Sequence, residues 1–350
     1  MQASSPAASS AGAPPKVAVI GVGHWGRNLV RNYHALGALA ALTDTDHEVA
    51  RTFGERFGVP ALTLAEILGQ PDIDGIVIAT PAEGHAAIAR EALAAGKHVF
   101  VEKPLALTLA DADVVIAAAT EAGRILMVGH LLQYHPAFVT LKQLVDAGRL
   151  GRLQYIYSNR LNLGRIRRAE NVFWSFAPHD ISMILALAGE MPAEVHATGA
   201  CYLHKTVADV TTTHLGFENG INAHIFVSWL HPFKEQKLVV VGEAGMAVFD
   251  DGQPWEAKLV VYPHRINWAN GVPTPDKAAA EPVPLAAAEP LQLECRHFLE
   301  CIAIGQQPDT DGVEGRRVLE VLEAAQRSME TSYMSRLSGS PCHVSVGGAS

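Results

Sequence analysis

KVAVIGVGHWGRNLVRNYHALGALAALTD, running from Lys16 to Asp44, decides the fold. Val17–Ile20 is a short apolar run of the kind that forms a buried strand. Gly21-Val22-Gly23-His24-Trp25-Gly26 follows without a break. Trp25, Leu29, Val30 and Tyr33 then recur at helical spacing, and Gly37 closes that helix. Leu39–Thr43 is a second apolar run, ended by Asp44. Strand, glycine turn, helix, strand and acid are the context a dinucleotide fingerprint needs. Gly21 permits the tight turn, Gly23 lets backbone approach a pyrophosphate, and Gly26 lets helix and strand pack closely. The positive end of the helix would hold the phosphates. A carboxylate at Asp44 accepts from an adenosine ribose and repels a 2′-phosphate, which favours NAD over NADP. The competing reading is a flavodoxin-like turn that binds nothing.

Outward from that stretch, 350 residues suggest two domains. A hydrophobic content of 49% with 18% charged residues describes an ordinary globular chain with ample core. The net charge of −9 argues against nucleic-acid or membrane-surface binding. Cys201, Cys295, Cys301 and Cys342 form no CxxC pair, so they read as free thiols and not as a zinc site. No apolar run spans a bilayer. Residues 1–15 show no signal-peptide pattern and read as a disordered tail, as do residues 338–350. A cytoplasmic protein is expected.

The fold class expected is α/β: a Rossmann doubly wound parallel sheet over 16–130, followed over 131–337 by an α+β domain with an open-faced, mostly antiparallel sheet. Asp46 caps a helix to Phe57, Thr63–Leu68 is a short helix, and Gly75–Thr80 is a strand. His85–Ala95 is a helix, His98–Val101 a strand, Thr108 caps a helix to Ala122, and Ile125–Val128 is taken as a sixth strand. Ligands of such sheets sit off the carboxyl ends of the strands. Thr80-Pro81, Glu102-Lys103-Pro104 and Gly129-His130 all fall there. Beyond Gly129, Pro136–Ala147 is helical, Leu153–Asn162 a strand, and a helix starts at His179 and runs to Leu187. Strands follow at Glu194–Leu203, Asp209–Phe217, Asn222–Trp229, Lys237–Val241, Met246–Phe249 and Lys258–Tyr262. Asn219-Gly220 is a hairpin turn. Residues 264–288 read as a loop, and Pro290–Ile304 and Gly312–Ser332 as helices, with these late helices free to pack back on the first domain.

GVGHWG at 21–26, ATPAEGH at 79–85, AGKHVFVEKPLA at 95–106, VGHLLQYHPAF at 128–138, APHDISMIL at 177–185 and GVEGRRVLEVLEAAQRS at 312–328 together resemble the Gfo/Idh/MocA oxidoreductases. The resemblance implies NAD as cofactor and oxidation of a CH–OH group. It implies cofactor contacts from Gly21, Gly23, His24, Trp25, Gly26, Asp44, Thr80, Pro81, His85, Glu102 and Lys103. Lys103 and His179 are the expected catalytic pair. A lysine at a strand end near an oxidised nicotinamide loses proton affinity by charge repulsion. A cis peptide before Pro104 would set its direction. A histidine at a helix start is disfavoured as a cation and can act as a base. The family's usual acid four residues before that histidine is replaced by Ser175, which can hydrogen-bond but carries no charge. No metal is expected.

Arg160–Glu170, RLNLGRIRRAE, is unusually basic for an acidic chain. Guanidinium forks suit phosphate or carboxylate. With Asn162 through Asp180 it resembles the nucleotide-sugar branch, the 3-dehydrogenases of UDP-N-acetylglucosamine and its uronic acid, which feed an aminotransferase in lipid A or surface-polysaccharide synthesis. Tyr134, His135, Arg160, Asn162, Arg165, Arg167, Ser175 and Asp180 are therefore expected to meet substrate. A dehydrogenase of free polyols or a non-catalytic NAD-binding scaffold are the alternatives. The resemblance also implies a homo-dimer or homo-tetramer through the second-domain sheet.

Overall fold

The computed structural model describes residues 14–164, 166–167 and 170–331. The tails expected up to Pro15 and from 338 fall outside these residues, apart from Pro14 and Pro15. In the first domain β1 (Val17–Ile20) leads into α1 (Gly26–Ala35), β2 (Leu39–Thr43), α2 (His47–Phe57), α3 (Leu64–Leu68) and β3 (Gly75–Ile78). Then come α4 (His85–Ala94), β4 (His98–Glu102), α5 (Leu109–Ala122) and β5 (Leu126–Gly129). The sheet order is β2-β1-β3-β4-β5, all parallel. It has five strands where six were expected, so Lys103 follows the fourth.

Local chemistry sets the helix ends. Asp46 accepts from the amides of Glu48 and Val49 at 3.1 and 3.2 Å, which satisfies donors the helix cannot. Thr63 and Glu66 form a reciprocal capping box. Alternate residues of each strand face opposite ways. Ile76, Ile78, Val99 and Val101 enter a core with α4 and α5, whereas Val17, Val19, Val77 and Phe100 enter another with α1. Phe298, fully buried, meets the Phe100 ring at 5.8 Å in that second core. Burying a side chain of that size contributes roughly 2–3 kcal/mol. Trp25 does not join the apolar stripe of α1. It precedes the first turn and is 39% exposed.

The second domain adds α6 (Pro136–Asp146), β6 (Leu153–Leu161), α7 (Val172–Ala188), β7 (Glu194–Ala200), β8 (Val210–Gly216) and β9 (Asn222–Ser228). It continues with β10 (Glu235–Gly242), β11 (Met246–Asp250), β12 (Leu259–Tyr262), β13 (Arg265–Ala269), β14 (Val272–Asp276) and β15 (Glu281–Pro282). Helices α8 (Pro290–Ile304) and α9 (Gly312–Thr331) end the described chain. Its large sheet runs β15-β12-β11-β10-β6-β9-β8-β7. Only β6 and β9 pair in parallel. Helices α7 and α9 pack on one face. On the other, His196, His214, His224 and Tyr157 stand in register across four strands.

Two departures from expectation have physical reasons. Residues 264–288 are not all loop: β13 and β14 form a hairpin turning at Asn270 (φ 51°) and Gly271 (φ 77°). Asn-Gly with both residues at positive φ matches the strand twist, a signal that the surrounding Ala and Pro content masks. Helix α7 begins well before His179. Asn171 caps it by accepting from the Trp174 amide at 3.1 Å, and Pro178 lies inside it. A proline there removes a backbone bond, but the buried side chains of Phe173, Ala177, Ile181 and Ile184 carry the helix through.

Helix α9 approaches β5 closely because it presents glycines. A Cβ on Gly312 would lie 2.5 Å from Leu126 Cδ2, and one on Gly315 would lie 2.6 Å from Val128 Cγ2. The approach brings Glu314 against His130, which follows β5 directly.

Candidate active site

The glycine turn after β1 has the shape its sequence requires. Gly21 adopts φ +93°, and a Cβ there would lie 2.8 Å from the Ala79 carbonyl oxygen. A Cβ on Gly26 would fall 1.9 Å from the Gly21 carbonyl oxygen, so only glycine lets α1 start here. A Cβ on Gly23 would meet nothing within 4 Å. That open, exposed backbone lies at the amino end of α1, where the first helical N–H groups lack intrahelical acceptors. Asp44 Oδ2 accepts from the Val22 amide at 2.6 Å and Oδ1 from the Asp46 amide at 2.9 Å, which holds the carboxylate beside the turn. A dinucleotide fits: the turn would hold pyrophosphate and Asp44 a ribose.

His24 is exposed on the turn. Trp25 Nε1 donates to Glu102 Oε1 across the strand ends. Burial pushes the Glu102 carboxyl up to about 7, although the Trp25 bond and Lys103 oppose this. His85 is set back from the mouth of the site. Its ring nitrogens face the carbonyls of Pro104 at 2.8 Å and Thr80 at 2.9 Å, so it ties the turn after β3 to the one after β4. Burial holds its pKa below the ordinary value. Pro81 starts a single 3-10 turn over Ala82–Gly84.

Lys103 precedes a cis peptide to Pro104. Its Nζ donates to the Ser175 carbonyl at 3.1 Å, one turn of α7 before His179. Burial lowers the Lys103 pKa first, with Arg167 and Arg160 adding to the effect and Glu102 and Glu170 opposing it. His179 is not at a helix start, so the helix dipole is not what disfavours its cation. Its pKa is pushed well down by burial, then by the charges of Lys103 and Arg160. The imidazole is therefore neutral, with Nδ1 buried and without a hydrogen-bond partner among the described residues. Amine and imidazole, from different domains, thus share one site.

The residues expected to meet substrate divide. Arg160 and Asp180 are a buried pair: Nε to Oδ2 is 2.7 Å and Nη2 to Oδ1 is 3.1 Å, and Ser158 Oγ also donates to Oδ1 at 2.5 Å. That guanidinium is committed to a protein carboxylate. Ser175 offers Lys103 its carbonyl. Asn162 continues β6, its amide donating to Ser228 O at 3.0 Å. Arg167 is exposed and pairs with Glu170 at 3.3 Å. Arg165 lies outside the described residues. Tyr134 and His135, expected at the substrate, spend their polar atoms on protein instead. Tyr134 OH bonds Thr310 Oγ1 at 2.9 Å in the seam beneath α8. His135 caps α6 through Nδ1, stacks on Trp255 at 5.4 Å and reaches Asp251 at 3.4 Å. Both are packing groups, because an aromatic-rich junction buried their polar atoms against protein. Sequence reasoning missed His130 and Glu314. The position of His130 after β5 was visible, but nothing in the sequence links Glu314 to it.

A glycine-turn dinucleotide cradle, with a lysine and a neutral histidine at its mouth, defines an NAD-dependent oxidoreductase. The family described as "Oxidoreductase family, NAD-binding Rossmann fold" matches residues 15–130, and the GFO/IDH/MocA C-terminal domain matches 138–248. The chain belongs to the Gfo/Idh/MocA oxidoreductases. It is 30% identical to a UDP-N-acetylglucosamine 3-dehydrogenase of Acidithiobacillus ferrooxidans, over 87% of this chain and 94% of that one. A solved structure of that enzyme superposes with a TM-score of 0.80, covering 90% of this chain and 98% of the other. A D-apiose dehydrogenase of Paraburkholderia graminis is 29% identical over 89% and 87%. The scyllo-inositol 2-dehydrogenase (NAD(+)) of Bacillus subtilis is 25% identical over 89% and 93%. Among the described residues no helix is long and apolar enough to cross a membrane.

Proposed function

We propose that this NAD-dependent sugar or polyol dehydrogenase oxidises the 3-hydroxyl of a UDP-N-acetylhexosamine or its uronic acid to a 3-keto sugar, which an aminotransferase then takes in lipid A or surface-polysaccharide synthesis. Bound NAD supplies the hydride acceptor. His179 takes the hydroxyl proton as general base, since it is neutral and half-buried. Lys103, held on the Ser175 carbonyl, donates to the oxygen as negative charge develops on it. The buried Arg160–Asp180 pair fixes the helix turn that carries His179. The single observation that carries the chemistry is Lys103 Nζ on α7, one turn from His179.

The substrate class is supported by the likeness to the UDP-N-acetylglucosamine enzyme over most of both chains, and by the 162–170 segment, where the Arg167 charge reaches Lys103. Arg165, as an anion contact, belongs to the same reading. The domain division at about residue 130, a homo-dimer or homo-tetramer on the open sheet face, and a cytoplasmic location complete it. The row of His196, His214, His224 and Tyr157, exposed or half-buried among the described residues, supports the oligomer. The test is a screen of NAD with UDP-N-acetylglucosamine, its uronic acid, free N-acetylglucosamine and inositol, read at the absorbance of reduced nicotinamide. Turnover of a UDP-sugar and not of the free compounds is expected. Turnover of inositol alone would overturn the substrate class.

A further inference from the structure

Next to His179 lies a line of buried polar atoms without a hydrogen-bond partner among the described residues. His179 Nδ1, both ring nitrogens of His130, and Glu314 Oε2 all lack a hydrogen-bond partner. Buried polar atoms are normally satisfied, so several in a row call for an explanation. They are also consecutive in space. The rings of His179 and His130 are edge-to-face at 6.4 Å between centroids. His130 Nε2 is 3.5 Å from Glu314 Oε2. The other carboxylate oxygen of Glu314 is fixed, accepting from Ser182 Oγ at 2.5 Å and Gln133 Nε2 at 3.0 Å. Glu314 then lines a cavity of about 400 Å³ whose wall includes Asp309, Asp311, Val313 and Arg317. Asp309 and Val313 are exposed, so this cavity opens to solvent.

We propose that His130 and Glu314 are a proton exit: they carry the substrate hydroxyl proton from His179 to solvent through this second cavity. This rests on the reading of His179 as the base. The oxidation of CH–OH by NAD releases one proton beyond the transferred hydride. When His179 gains that proton at one ring nitrogen, it gives up the proton on Nδ1 towards His130. His130 takes it at Nδ1 and gives its own from Nε2 to Glu314 Oε2. The protonated carboxyl then loses its proton to water in the cavity. Each transfer needs heavy atoms within about 3 Å or one intervening water. At 6.4 Å between ring centroids and 3.5 Å from His130 to Glu314, the transfers call for a bridging water or a ring rotation.

The charges facing the line suit its task. Burial and Lys103 hold His130 down to about 3, so it passes a proton without storing it. Burial and Asp311 push Glu314 up to about 7, against Ser182, Gln133 and Arg317. A carboxyl titrating near neutrality both accepts and releases. The path gives that proton a way to solvent through the cavity beside Glu314.

The test uses Glu314→Gln and His130→Gln in weakly buffered solution with NAD and UDP-N-acetylglucosamine, following reduced nicotinamide and a pH indicator together. Both variants should turn over roughly tenfold more slowly or worse, a part of the general acid–base factor. Added imidazole should restore the rate. The ionisation near neutrality should vanish from the kcat profile of Glu314→Gln. Unchanged rates, or losses that imidazole does not relieve, overturn the proposal, the latter by marking a structural role. Carbon-13 NMR of the Glu314 carboxyl in the unliganded protein gives an independent reading. Titration near neutrality is expected, and titration at the ordinary carboxyl value overturns the exit. Normal turnover by His179→Ala would instead sink the base assignment. A dead His179→Ala beside a normal Glu314→Gln would sink the exit alone.

Discussion

Replacing Asp180 with alanine isolates what the buried ion pair contributes. Asp180 is 1% exposed and takes two bonds from Arg160 and one from Ser158. Without it the Arg160 guanidinium, itself 9% exposed, is left as an uncompensated buried charge. Removing one member of such a pair costs about 3–5 kcal/mol, and we expect the lower end, because a guanidinium is weakly hydrated and has slight access to solvent. For a domain of this size that is a fall of about 6–12 °C in the unfolding midpoint. Replacing both partners, Asp180→Leu with Arg160→Met, removes the charge with its partner and should recover most of the loss. Thermal unfolding followed by circular dichroism at pH 7.5 gives both values. A single variant within about 1 kcal/mol of wild type, or a double variant no better than Asp180→Ala, would refute the pairing and return Arg160 to the substrate pocket.

Gly26→Ala should abolish NAD binding and lower stability, because its methyl would collide with the Gly21 carbonyl backbone; calorimetric titration with NAD checks this, and wild-type affinity would contradict it. Glu294 is wholly buried with neither carboxylate oxygen bonded, and burial raises its pKa well above the ordinary 4.5. The unfolded chain loses that proton above about pH 4.5 while the folded chain keeps it, so this group costs stability as pH rises from there through its folded value. Glu294→Gln should then raise the urea midpoint at pH 8 and leave it unchanged at pH 4; equal gains at both would sink the argument.

How much of this was legible depended on whether a feature is local. Gly21, Gly23, Gly26 and Asp44 act within one strand-turn-helix-strand unit, so their spacing carried the cofactor site. Asp46 and Thr108 were legible as caps, since a cap needs only its own first turn. Arg160 was misread because sequence shows a free guanidinium, while its partner Asp180 is contributed by the next helix. Tyr134 and His135 failed alike, through partners at Thr310, Asp251 and Trp255 far along the chain. The start of α7 was lost because Pro178 looks like a boundary, and only tertiary burial lets the helix run through it. The Glu314–His130 approach depends on two glycines of α9 against β5 and has no local signature.

The most direct test of the central claim is a single-turnover comparison of wild type, Lys103→Ala and His179→Ala, each saturated with NAD and mixed with UDP-N-acetylglucosamine. The account predicts rapid formation of reduced nicotinamide in wild type and none in Lys103→Ala, with His179→Ala slower by roughly two to four orders of magnitude, while all three bind NAD alike. Reduced nicotinamide appearing at the wild-type rate in either variant would contradict it.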